Sequence, residues 1–171
     1  EKIILKNLVE LKSLKLKIIL SPHEVSQPNV ERLKNVLSSQ NLSYKTLSES
    51  DFFIDFNFDV LIIDKIGYLA DSYRFADLAF VGGSFKDKVH SVMEPLCCGL
   101  NVITGPFYKN NPEAVKYQNK FVHSVQSNTE FNSQVKRLVG VDKVKVLGEM
   151  KKNLNASRKV INIIQDMKAK S

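Results

Sequence analysis

At 171 residues, 43% of them hydrophobic and 25% charged, the chain is long enough to bury one substantial core and is close to the usual size of a single domain. Its 25 Lys and Arg against 18 Asp and Glu leave a net charge of +7, which favours anionic neighbours (phosphate ligands, acidic headgroups, nucleic acid) without choosing among them. No apolar run reaches the roughly 18 residues of a membrane span, and no N-terminal stretch has the form of a secretory leader, so a soluble domain is expected.

The opening stretch EKIILKNLVELKSLK places Ile4, Leu8, Leu11 and Leu14 three and four apart, the period of one helix face. LKIILSP (16–22) reads as a short strand stopped at Ser21-Pro22. PNVERLKNVLSSQN (28–41) reads as a helix with Pro28 near its start and Val30, Leu33, Val36 and Leu37 on one face. LSYKTL (42–47) is a second strand candidate. SESDFFIDFNFD (48–59) fits neither period and reads as a connecting loop with Phe52, Phe53, Phe56 and Phe58 buried.

VLIID (60–64) is a buried strand, IGYLADSYRFAD (66–77) is helical in pattern, and LAFVGG (78–83) is a strand ending in glycines. SVMEPLCCG (91–99) carries a helix closed by Gly99, and NVITGP (101–106) is the next strand. NPEAVKYQN (111–119) predicts a helix with Pro112 in its first turn, FVHSV (121–125) a strand, and NTEFNSQVKRLV (128–139) a helix. The tail from Val141 predicts two helical segments interrupted near Gly148. Cys97 and Cys98 are adjacent, so a disulfide between them would be strained. With no further Cys and no His cluster they form no metal shell, and they read as reduced packing residues.

Short apolar strands alternating with helices of ten or so residues predict an α/β domain, a Rossmann-like, doubly wound parallel sheet covered on both faces. Residues 1–171 read as one domain without internal repeats or low-complexity linkers. The chain starts on a helix with no strand ahead of it, so a first strand is expected to precede it in a longer protein. In such sheets ligands bind beyond the carboxyl ends of the strands.

The strand LAFV ends at Gly82, Gly83 and Ser84, where missing side chains let a ligand approach the backbone. The next helix is expected to begin between Val89 and Ser91. Its free N–H groups and dipole form an anion site, with His90 and Ser91 as added donors and Ser91 as a cap. Glu94, four residues past His90, would share its helix face and could accept from vicinal ribose hydroxyls. Taken singly, each of these residues also has a plain structural reading: a turn, a solvated histidine, a surface glutamate. The Gly-Gly pair lacks the GxGxxG spacing of dinucleotide folds.

Taken jointly, four motifs resemble the C-terminal half of the 3-deoxy-D-manno-octulosonic acid (Kdo) transferases, which are GT-B glycosyltransferases. They are D-x-x-G (Asp64 to Gly67), Y-x-x-A-D-L-A-F-V-G-G-S (Tyr73 to Ser84), H-S-x-x-E-P (His90 to Pro95) and G-x-x-V-I-x-G-P (Gly99 to Pro106). The resemblance implies the C-terminal half of a GT-B fold, a nucleotide-sugar-binding domain whose last helices pack back on an N-terminal half. It implies CMP-Kdo as donor and a lipid A precursor as acceptor, in lipopolysaccharide biosynthesis. No cofactor and no metal are implied, and the site of action would be the cytoplasmic face of a bacterial inner membrane.

By the same resemblance, Gly82, Gly83, Ser84, His90 and Ser91 hold phosphate and donor sugar, and Glu94 binds ribose. Ile66 and Gly67 border the nucleotide, His23 lies where the family carries a Pro-Arg-His run, and Asn110 lies where an Asn follows the Gly-Pro turn. The general base belongs to the N-terminal half, so no catalytic residue is expected here. The chain departs from the family at Ser91, where the family shows Asn, at Pro22-His23-Glu24, which lacks the Arg, and at Tyr68, where an acid is common. Two other readings stand beside this one. The first is a GT-B transferase or epimerase domain that takes a UDP-sugar. The second is a noncatalytic basic module docking on an anionic membrane surface, nucleic acid being disfavoured because no basic stripe carries interleaved aromatics.

Overall fold

The computed structural model describes residues 2–49 and 57–153. α1 (Lys2–Ser13) buries Ile3, Ile4, Leu8 and Leu11, the face its three-and-four spacing defines, and leads into β1 (Ile18–Leu20). α2 (Gln27–Ser39), with Pro28 in its first turn, buries Val30, Leu33 and Leu37 and is followed by β2 (Tyr44–Thr46). β3 (Val60–Ile62) is buried throughout, as expected of a strand covered on both faces. Then come α3 (Leu69–Ser72), β4 (Leu78–Phe80), α4 (Met93–Cys97) and β5 (Asn101–Thr104). The order closes with α5 (Pro112–Lys116), β6 (Val122–Ser124), α6 (Asn128–Leu138) and α7 (Val144–Asn153).

Among the described residues every strand pairing is parallel, in two three-stranded sheets ordered β1-β3-β2 and β4-β5-β6. In the second sheet the side chains alternate with a period of two. Leu78, Phe80, Ile103 and Val125 join Leu20, Val60 and Ile62 of the first sheet in one continuous core beneath α1, α2 and α6. Ala79, Val81, Val102 and Val122 face the other way, against α4, α5 and α7. Leu8, Leu33, Leu37 and Leu96 are fully enclosed, and each such side chain stabilises the fold by roughly 1.5–3 kcal/mol.

α1 and α6 are joined across the top of the first core by polar contacts. The Asn7 amide donates to Asn128 Oδ1 at 3.1 Å, the Asn132 amide donates to Asn7 Oδ1 at 2.9 Å, and Lys136 Nζ meets Glu10 Oε1 at 3.0 Å. α6 is capped by Ser127, whose hydroxyl accepts the Glu130 N–H at 3.1 Å. At the other end, Gly99 takes φ +82 after α4, and a Cβ there would lie 2.8 Å from Leu147 Cγ, so α7 packs directly on the glycine.

Four expected boundaries are corrected. The helix expected over 66–77 is one turn of α-helix followed by a 3-10 turn (Tyr73–Phe75), with none of its residues buried. Gly67 at φ +94 breaks its start, Ile66, 84% exposed, and Phe75, 83% exposed, stay off the core, and only Tyr73 and Ala76 pack partly against it. The helix expected over 111–119 ends at Lys116, because Asn119 turns left-handed at φ 61. α7 runs through Gly148 without interruption, and the expected second segment lies beyond the described residues. Leu14 lies outside α1, partly buried against the first core. Phe58 is buried, as expected, while Phe52, Phe53 and Phe56 lie outside the described residues.

Candidate functional site

The segment from Gly82 to His90 is a loop closed by its own backbone. The His90 N–H donates to the Gly82 carbonyl at 3.3 Å, and inside the loop the Gly83 carbonyl accepts from Lys86 and Asp87 at 3.1 and 3.4 Å. The two glycines serve different ends. Gly83 sits at φ +89, and a Cβ on it would lie 2.2 Å from the Lys88 carbonyl oxygen and 3.1 Å from the His90 ring, so no other residue fits. A Cβ on Gly82 would meet nothing within 4 Å, so that face of the turn opens onto free space.

Ser84 is 0% exposed, and its hydroxyl accepts the Gly105 N–H at 2.6 Å while its carbonyl accepts the Phe107 N–H at 2.9 Å. It thus stitches the end of β4 to the end of β5. Val89 and Val92, both buried, anchor the far side of the loop in the second core. Asn110 grips the loop from the next turn, its Oδ1 accepting the Val89 N–H at 3.2 Å and its Nδ2 donating to the Val89 carbonyl at 3.3 Å. Asn111 adds a donation to the His90 carbonyl at 3.3 Å while its own Oδ1 caps α5 at the Ala114 N–H, 2.9 Å. The Asn-Pro pair at the start of α5 was the available sequence signal for Asn111, and it pointed only to a cap.

Closure of this loop carries His90 back to the carboxyl end of β4, where it meets His23 from the end of β1. Their rings stack with centroids 4.7 Å apart and planes 21° apart. Partial burial, then the neighbouring His23 and Lys88 side chains, hold the His90 ring below the usual imidazole range. His90 is therefore neutral near pH 7, one ring nitrogen donating and the other accepting.

The expected helix start is corrected. α4 begins at Met93 with Val92 before it, no side chain caps it, and His90 and Ser91 lie outside it. Ser91 is exposed but does not cap, and Glu94 does not share a helical face with His90, since the i, i+4 relation holds only inside a helix. Glu94 is exposed in the first turn of α4, on the side of Tyr73. Burial, then Glu94 and Cys98, push the Tyr73 phenol up to about 12. The amides that open α4 have no partner inside the helix, as at every helix start.

Ile66 and Gly67 stand at the carboxyl end of β3, on the same side of the sheet as the histidine pair. Behind them Asp64 accepts the Ser48 N–H at 2.9 Å and the Ser48 hydroxyl. Burial pushes the Asp64 carboxyl up, but these bonds outweigh it and leave it below its usual range. The structure thus gathers Gly82, Gly83, His90 and His23 in one place, with Ser91 beside them in sequence. Ser84 and Asn110 brace the turn, and Glu94, Ile66 and Gly67 lie along the same end of the strands. Among the described residues no group of three or more His, Cys, Asp or Glu comes together to hold a metal ion.

A parallel, two-faced α/β sheet with its glycine turn, histidines and open strand ends on one side is the C-terminal half of a GT-B fold. The C-terminal CMP-Kdo binding domain of WaaA from Acinetobacter baumannii superposes with a TM-score of 0.65 at 20% identity, over 95% of this chain and 81% of that one. No family model matches the chain. By sequence it is a homologue of the 3-deoxy-D-manno-octulosonic acid transferases. It is 37% identical to that of Chlamydophila psittaci over 100 residues, which are 57% of this chain and 22% of the relative. It is 30% identical to that of Aquifex aeolicus over 146 residues, 82% of this chain and 39% of the relative. The chain therefore spans well under half the length of these curated relatives.

Proposed function

We propose that these residues are the donor-binding domain of a Kdo transferase, holding CMP-Kdo while an N-terminal half supplies the lipid A precursor and the general base. The observation that carries this reading is the meeting of the His23–His90 pair with the Gly82-Gly83 turn at the carboxyl ends of β1 and β4. The open face of Gly82 lets a phosphate approach the backbone. His90, His23 and the first amides of α4 then surround it with donors. Glu94 accepts from the ribose hydroxyls, and Ile66 and Gly67 border the nucleotide.

In the reaction, an acceptor hydroxyl attacks the anomeric carbon of Kdo from the face opposite the phosphate. The bond from that carbon to the phosphate oxygen breaks, and CMP leaves with the electron pair. Donors fixed around the phosphate stabilise the charge that develops there, a contribution of roughly 3–4 kcal/mol per well-placed donor. The acceptor gives its proton to the base of the other half, so this domain alone binds without turnover. Action at the cytoplasmic face of an inner membrane is part of the same reading, and a lipid acceptor requires a membrane surface. Among the described residues no helix is long and apolar enough to cross a membrane.

Calorimetric titration with CMP and with UDP tests the assignment. CMP is expected to bind and UDP to bind at least tenfold more weakly, with Glu94→Ala weakening CMP in a folded domain. A folded domain that binds neither nucleotide overturns the reading, and preference for UDP moves it to another GT-B transferase or epimerase.

A further inference from the structure

The loops at the carboxyl ends of β4 and β5 are clasped to one another at two points. At the first, the Phe107 N–H donates to the Ser84 carbonyl at 2.9 Å and the Gly105 N–H to the Ser84 hydroxyl at 2.6 Å. At the second, Asn110 holds Val89 through both its Oδ1 and its Nδ2. Phe85 and Phe107 adjoin the first clasp, one from each loop. Lys88 and Lys109 adjoin the second in the same way, with Lys86 between the two clasps.

Phe85 is set in place from behind. A Cβ on Gly105 would lie 2.5 Å from its ring, so the ring rests directly on that backbone. It stacks on Phe80 with centroids 6.4 Å apart, and Phe80 meets the enclosed Phe131 edge-on at 5.7 Å. The outer side faces water, Phe85 being 37% exposed and Phe107 54% exposed. A lone apolar side chain at the surface needs no partner, but two aromatics anchored to one clasp make a fixed apolar patch. All three lysines are exposed, and among the described residues none of them pairs with a carboxylate. Asp87 is the one acid in either loop, so the positive charge beside the aromatics is largely unopposed.

We propose that this patch receives part of the acceptor, a lipid that carries phosphate, with Lys86, Lys88 and Lys109 meeting its charge and Phe85 and Phe107 its hydrocarbon. A free phosphate has no use for aromatic rings and an uncharged lipid has none for lysines, whereas an anionic amphiphile matches both. The place fits as well. Lys88 stands two residues from His90, close enough for its charge to act on that ring, so the occupant lies beside the donor phosphate and not on it. Five side chains on two short loops suit one molecule, where a bilayer would call for a wider face. The inference rests on the donor-binding reading, and it gives this domain a share of the acceptor contacts assigned above to the N-terminal half.

Amide chemical-shift mapping and calorimetric titration of the chain with dodecyl phosphate below its micelle concentration, with and without saturating CMP, test it. The amides of residues 85–88 and 107–109 are expected to shift most, with affinity at least tenfold above that for dodecyl maltoside, which lacks the charge, or inorganic phosphate, which lacks the chain. CMP is expected to change that affinity by less than twofold. Phe107→Ala combined with Lys86→Gln is expected to weaken dodecyl phosphate at least fivefold while CMP affinity stays within twofold. Shifts confined to other residues, equal affinity for the uncharged amphiphile, displacement by CMP or an unaffected double variant overturns the proposal, and where CMP still binds the donor reading survives it. Binding of dodecyl phosphate by a folded domain that takes no CMP overturns the donor reading and the acceptor role with it. A response seen only with phosphatidylglycerol vesicles assigns the patch to a bilayer surface and overturns the proposal too.

Discussion

Replacing Gly83 by Ala separates the architectural glycine from the open one. The new Cβ would sit 2.2 Å from the Lys88 carbonyl oxygen, a backbone atom that cannot swing aside, and the residue would be held at φ +89. The left-handed dihedral costs about 1–2 kcal/mol. Relief of the collision opens the loop and sacrifices one or two of the bonds from Lys86, Asp87 and His90 that close it, each contributing about 1 kcal/mol. The sum, about 2–4 kcal/mol, lowers the unfolding midpoint by roughly 4–16 °C for a domain of this size. Gly82→Ala meets no atom, so its unfolding midpoint is expected to stay within about 2 °C of the parent while CMP affinity falls at least tenfold, the methyl group occupying the space the phosphate needs. Thermal unfolding by circular dichroism and calorimetric titration with CMP, run on both variants, give the comparison. Equal unfolding midpoints for the two variants would refute the reasoning about the loop, and undiminished CMP binding by Gly82→Ala would refute the role given to its open face.

Since the His90 ring is held low in the free domain, a bound phosphate raises its proton affinity, so the complex takes up a proton and CMP binding tightens as pH falls from about 7. Calorimetry in two buffers of different ionisation enthalpy reads that uptake, which His90→Ala should abolish; a pH-independent affinity contradicts it. His123 is buried beside Arg137, whose Nη2 lies 3.1 Å from its Nδ1, and burial first, then that charge, lower its pKa to about 4. The unfolded chain takes up this proton near its ordinary value of about 6.5 while the folded one stays neutral, so about 2–3 kcal/mol of stability present above that value is lost as pH falls toward 4. Urea unfolding between pH 7 and 4 measures the loss, and His123→Gln is expected to flatten it. Ser84→Ala leaves the buried Gly105 N–H unpaired and is expected to destabilise the domain by about 1–3 kcal/mol, read as a lower urea midpoint at unchanged slope.

The six strands were legible because each is a short apolar run bounded by turn residues, and the parallel arrangement followed from the helices between them. α1, α2 and α6 were legible from their period, since Leu8, Leu33 and Phe131 each sit at the centre of a buried face. The short helices were legible as helices but not in their bounds. The segment 66–77 around α3 has the spacing of a helix but exposes Ile66 and Phe75, and a pattern of apolar residues does not tell which side the core lies on. The start of α4 was misplaced because Ser91 has cap chemistry, yet Val92 occupies the position before the helix and its side chain offers no acceptor. The glycine turn was recognisable as a turn. Its closure by the Gly82 carbonyl and the His90 N–H is a backbone event without a side-chain signature. The His23–His90 stack joins residues far apart in the chain, which only the fold brings together.

Asn110 and Asn111 hold the His90 loop from outside it, through bonds to Val89 and to His90 itself. The posture of that imidazole is thus borrowed from the segment after β5. A disturbance of the Tyr108–Pro112 stretch would reach the histidine without touching any residue between Gly82 and Glu94, and engineering of one turn has to treat both as a single rigid piece.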